Sequence, residues 1–159
     1  MMRKFGRALV FVGIVAAFVA GTNAQGSKGL EGTWKLNLAK SKFSPGPAPK
    51  SMTVTYSAAG ADGMKIVVDL TPGTGAAQHW EMTATYDGKE SPVKGNPSAD
   101  TISAKRINDL TTESTFRKGG KVTSVNHRAL SADGKTLTIT SKGVTEEGKP
   151  RNDVQVLER

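Results

Sequence analysis

From residue 33 onward the chain alternates apolar and polar side chains, and a period of two leaves little besides β-sheet open to it. Trp34, Leu36 and Leu38 alternate with Thr33, Lys35 and Asn37, and Met52, Val54 and Tyr56 alternate with Ser51, Thr53 and Thr55. The rhythm continues through Met64, Ile66, Val68 and Leu70, then Trp80, Met82, Ala84 and Tyr86, and later Ile102/Ala104, Leu137/Ile139 and Val154/Val156. Threonine recurs on the opposite face, where a β-branched residue suits the solvent side of a sheet. Asp62-Gly63, Asp87-Gly88, Asn108-Asp109, Gly119-Gly120, Asp133-Gly134 and Glu147-Gly148 punctuate these segments as hairpin turns. The pattern predicts an all-β fold, an antiparallel up-and-down meander of about 8–10 strands. Closing it into a barrel protects the edge strands, whereas a two-sheet sandwich needs longer crossing connections. Two stretches break the rhythm: Ser41 to Lys50, with three prolines, and Glu90 to Asp100, with Pro92 and Pro97. Each reads as a connection or a lid.

The N-terminus follows a different logic. Arg3, Lys4 and Arg7 precede an apolar run from Ala8 to Ala20, interrupted only by Gly13, and Thr22-Asn23-Ala24 supplies small residues at the peptidase positions. This is the pattern of a secretory signal peptide, with cleavage expected after Ala24. The apolar run of 13 residues is too short to span a bilayer, so no membrane span is expected after cleavage. Residues 25–159 form the single domain, periplasmic or secreted, with no cysteine for lipid attachment. Removing three basic groups lowers the net charge from +8 to +5. That mild excess is scattered among acids, so nucleic acid is not an expected partner.

Chemistry is sparse. The absence of cysteine excludes disulfides, thiolate metal sites and a cysteine nucleophile, and two histidines do not make a zinc centre. His79 and His127 have no serine and carboxylate placed to complete a hydrolytic triad. Nothing brings Glu113 and Asp100 or Glu81 together as a glycosidase pair, and Glu146-Glu147 reads as a solvated turn. No glycine-rich phosphate loop opens a helix. No cofactor, metal or catalytic constellation is expected.

Hairpin register then assigns faces. With two-residue loops at Asn108-Asp109 and Gly119-Gly120, Arg106 faces Thr111, Ala104 faces Glu113, Arg117 faces Val122, Thr111 faces Arg128 and Glu113 faces Asn126. A loop over Ala132 to Lys135 sets Leu130 opposite Leu137 and Arg128 opposite Ile139. One face, taken as the interior, collects Ile102, Ala104, Val122, Leu130, Leu137 and Ile139 together with Arg106, Glu113, Asn126 and Arg128; Leu110, Phe116 and Val125 fall outside. Charges removed from water need partners. The group is either a structural network in which Glu113 neutralises an arginine, or a ligand site where a free guanidinium meets an anionic head group while Met52, Val68, Met82 and Ile139 contact an apolar tail.

The segment Gly29-Leu30-Glu31-Gly32-Thr33-Trp34-Lys35-Leu36 resembles the first strand of the calycins, the lipocalins and fatty-acid-binding proteins, whose Gly-x-Trp is matched by Gly32 and Trp34. The tail from Asp133 to Arg159 is similar to the last two strands of fatty-acid-binding proteins. The resemblance implies a lipocalin-like barrel, and the chain also resembles small exported bacterial proteins called lipocalin-like. Gln155 and Leu157 stand where that family has an Arg-x-Tyr pair for a ligand carboxylate, and the proline-rich segment replaces its helical lid. Independently of the resemblance, Trp34 is expected to plug one barrel end, with Gly32 allowing close backbone approach.

The leading expectation is an exported, non-enzymatic carrier of a small amphipathic, anionic molecule. The alternative is an envelope or interaction module with a filled barrel, and an enzyme acting on a lipid-like substrate comes third for want of a reactive group.

Overall fold

The computed structural model describes residues 29–145 and 147–159. The expected signal peptide lies outside the described residues. Ten strands follow one another as β1 (Gly32–Leu36), β2 (Ser51–Ala59), β3 (Gly63–Thr71), β4 (Gln78–Thr85), β5 (Asp87–Lys94), β6 (Thr101–Asn108), β7 (Thr111–Lys118), β8 (Lys121–Leu130), β9 (Thr136–Val144) and β10 (Pro150–Glu158). Each pairs antiparallel with its sequence neighbours, and β1 pairs with β10 to close the barrel. The only helix among the described residues is a 3-10 turn at Leu38–Lys40, so none is long and apolar enough to cross a membrane.

Strand β5 replaces part of a stretch that the sequence reads as irregular. Its pairing with β4 is limited to Glu81 with Lys94 and Met82 with Val93, and Pro92 is exposed. A strand so loosely attached on one side tolerates a residue that cannot donate to a ladder.

Trp34 closes one end of the barrel. Its side chain is fully buried, its Nε1 donates to the Leu30 carbonyl oxygen at 2.8 Å, and the Arg159 guanidinium lies 4.6 Å from the ring centroid. Met64, Leu137 and Leu157 at the same end are likewise fully buried. Gly32 serves this end by conformation rather than by close approach. Its φ of +119° suits glycine, while an added Cβ would meet nothing nearer than 3.8 Å.

On β10 the register sets Leu157 opposite Leu137, so Leu157, Gln155 and Asp153 point inward. Val154 and Val156, which the alternation groups with the apolar face, instead pair with Thr140 and Thr138 on the outside, half-buried. Leu157 pairs with another fully buried leucine, and that contact fixes the register.

Candidate functional site

The end opposite Trp34 holds a cavity of about 300 Å³. The proline-rich segment lies over it, contributing Phe43, Pro45, Pro47 and Pro49 to the lining, and Asn96 to Ala99 of the β5–β6 connection contribute from another side. Both irregular stretches therefore border the mouth. Backbone bonds tether the first: Lys42 N–H donates to the Val154 carbonyl at 2.7 Å, Val154 N–H returns the bond at 2.8 Å, and Lys50 N–H donates to the Thr71 carbonyl at 2.8 Å. Asn152 N–H adds a bond to the Ser44 carbonyl, and Ser44 N–H donates to Asp153 Oδ1 at 3.0 Å. Gly73 provides the seat on the opposite rim, since a Cβ there would come within 2.5 Å of the Ala48 carbonyl oxygen and 3.0 Å of the Pro47 ring.

The register around β7 departs from the two-residue-hairpin expectation through two bulges. The β6–β7 loop is Asp109-Leu110 rather than Asn108-Asp109, and one bulge lies between Arg106 and Asn108, so Arg106 pairs with Thr112 and Ala104 with Ser114. The second follows the β7–β8 turn: Arg117 still pairs with Val122, but Phe116 pairs with Ser124. An extra residue flips every side chain beyond it. The first bulge turns β7 over relative to β6, and the second restores β8. Asn126 and Arg128 therefore point inward, opposite Ser114 and Thr112, and Arg128 keeps its pairing with Ile139.

Glu113 does not join them. It faces outward between Lys105 Nζ at 2.7 Å and His127 Nε2 at 3.1 Å, and the Lys105 hydrogen bond foremost holds its carboxyl below the usual range. Phe116 takes the inward place and is buried, while Val122, before the second bulge, is 53% exposed. With Glu113 outside, the interior arginines lack the carboxylate that a Glu113-based network requires.

Arg128 is buried, its Nη1 donating to Ser114 Oγ at 2.7 Å, while its Nε has no partner among the described residues. Two residues away on the same wall, the Asn126 Oδ1 is also buried and unpartnered. Both line the cavity. Arg106 is inward but half-buried and does not line the cavity; its guanidinium sits 5.0 Å from the Tyr86 ring centroid, with Nη2 unpartnered. Burial raises the Tyr86 phenol above its ordinary value of 10.0, opposed by the positive charge of Arg128 and, more weakly, Arg106.

The single described carboxylate lining the cavity is Asp153. It is already engaged by Ser44 N–H and by Arg151, whose Nε lies 3.0 Å away as an ion pair off hydrogen-bond alignment. Arg128 is thus left as the uncompensated charge. The sequence reading missed Ser141 and Asp153, yet the signal was present; Gln155 stands where the resemblance sets a ligand-holding residue of the family. Continuing the period of two from Ile139 reaches Ser141, and running it back from Leu157 reaches Gln155 and Asp153. The expected tail contacts Met52, Val68, Met82 and Ile139 all line the cavity.

His79 pairs with Asp69 at 2.7 Å on the exposed outer face of the sheet, pointing away from the cavity that its neighbours Gln78 and Trp80 line. Among the described residues no cluster of histidine and carboxylate side chains could hold a metal ion.

No family model matches the sequence, and no curated protein matches it significantly. Solved structures do match. The fluorescent protein UnaG superposes with a TM-score of 0.54 at 14% identity, over 84% of this chain and 98% of that one. A redesigned β-barrel superposes with a TM-score of 0.52 at 12% identity, over 85% and 95%. At such identity the likeness is one of fold: the chain shares with these proteins a closed, antiparallel up-and-down β-barrel.

Proposed function

We propose that residues 25–159 form an exported binding protein that holds a small amphipathic, anionic ligand inside the barrel. The observation that carries this reading is the buried Arg128 guanidinium on the wall of a 300 Å³ cavity, with an unpartnered Nε and no free carboxylate among the described lining residues. A buried charge without a counter-ion is costly, and an anionic ligand group supplies one. The apolar lining from β2 to β4 accepts the rest of the molecule. Export rests on the basic leader and apolar run before Ala24. No reactive constellation faces the cavity among the described residues, which favours carriage over catalysis.

The test uses 8-anilinonaphthalene-1-sulfonate, an anionic fluorophore with apolar rings. It is expected to bind one site on the wild type, with affinity falling about tenfold in Arg128→Leu through loss of a charge-assisted contact. Glu113→Gln, on the outer wall, is expected to bind as the wild type does. Equal binding by wild type and Arg128→Leu, with native circular dichroism in both, would contradict the anionic site.

A further inference from the structure

The polar and apolar residues of the cavity are segregated by wall rather than by depth. Strands β8, β9 and β10 contribute Asn126, Arg128, Ser141, Asp153 and Gln155, and among the residues of these strands that line the cavity only Ile139 interrupts the polar series; their inward Leu130, Leu137 and Leu157 lie below it, toward the closed end. Across the barrel, β2, β3 and β4 contribute residues such as Met52, Val68, Leu70, Trp80 and Met82, with Gln78 and the Tyr56 hydroxyl as the polar exceptions. In the closed strand order these are two contiguous blocks, separated by β1 on one side and β5 to β7 on the other.

A molecule polar at one end only satisfies Arg128 and lays its methylenes against the rest of the polar wall. That arrangement strips water from Asn126, Ser141 and Gln155 without replacing it. The Asn126 Oδ1 needs a donor and the Arg128 Nε needs an acceptor. Their positions, two residues apart along β8, are separated by about 7 Å, so both must be met along one side of the ligand. The volume adds a size limit. A cavity of 300 Å³ stands at the small end of ligand pockets, on the order of ten liquid-water volumes.

Resting on the ligand-binding reading above, we infer that the ligand is a compact ring molecule, amphipathic across its width, with a hydroxyl or amine donor beside its anionic group along one edge and an apolar opposite edge. The donor meets Asn126, the anion meets Arg128, and the apolar edge lies on Met82 and Trp80.

Calorimetric titration of residues 25–159 with 7-hydroxy-2-naphthoate, 2-naphthoate and palmitate tests this. The hydroxynaphthoate is expected to bind about tenfold more tightly than the naphthoate lacking the hydroxyl, and palmitate more weakly than either. Asn126→Leu is expected to erase the preference between the two naphthoates, whereas Glu113→Gln, on the outer wall, is expected to keep it. Palmitate binding best, and tightening in Asn126→Leu, would overturn the edge-polar ligand while leaving the anionic binding site standing. No binding of any of the three, together with no binding of the anilinonaphthalene probe, would remove both.

Discussion

The two ends of the barrel are built from the same strands and solve opposite problems. At the closed end Trp34, Met64, Leu137 and Leu157 are fully buried, and the indole N–H has its acceptor in Leu30. At the open end the strands enclose empty volume, and Asn126 and Arg128 carry buried atoms with no described partner. A packed end contributes stability; a hollow end with unmet hydrogen-bonding groups suits a ligand. The fold separates the two along its axis, so substitutions at either end should have different signatures.

The largest expected effect is at the closed end. Trp34→Ala should lower stability by about 3–5 kcal/mol in urea melts through loss of a buried indole and the cavity left behind. A change below about 1 kcal/mol would break the contrast between the ends. At the open end, Gly73→Val places atoms where Ala48 and Pro47 now lie and should lift the proline-rich segment from its seat. Stopped-flow dissociation of the anilinonaphthalene probe should then be faster by about tenfold, with a stability loss near 1 kcal/mol. An unchanged dissociation rate would mean that this segment does not gate the mouth.

The smallest effect concerns pH. Because burial raises the Tyr86 phenol above 10.0, its contribution to stability is complete below that pH and is lost as pH climbs through the raised value. Wild type should therefore lose more stability than Tyr86→Phe between pH 10 and the raised value, as read by thermal melts at stepped pH. Parallel losses in the two proteins would show that the phenol is not held in its neutral form by the fold.

The sequence is most legible where one physical signal dominates. The period of two gives the strands, their faces over β2 to β4 and the closed barrel, and the Gly-x-Trp marks the plugged end. Arg128 and Asn126 are assigned inward because the two bulges flanking β7 cancel by the time the chain enters β8. Glu113 lies between those bulges and so turns out to the solvent side, where Lys105 and His127 meet it. Nothing in the alternation of β7 announces a bulge, since Thr111, Thr112, Ser114 and Thr115 are small polar residues that suit either face. The polar wall was hidden in part for a related reason: Ser141 and Asp153 face inward, and a reading that follows apolar residues passes over inward polar ones, while Gln155 was marked only by the resemblance.

The central claim, that the barrel interior holds an anionic small molecule, is tested most directly by native mass spectrometry of residues 25–159, exported to a periplasm and purified without detergent. The account predicts a reproducible adduct of a few hundred daltons that Arg128→Leu loses while Glu113→Gln retains it. A clean mass for the unliganded chain, unchanged after incubation with lipid and small-molecule extracts, would contradict it.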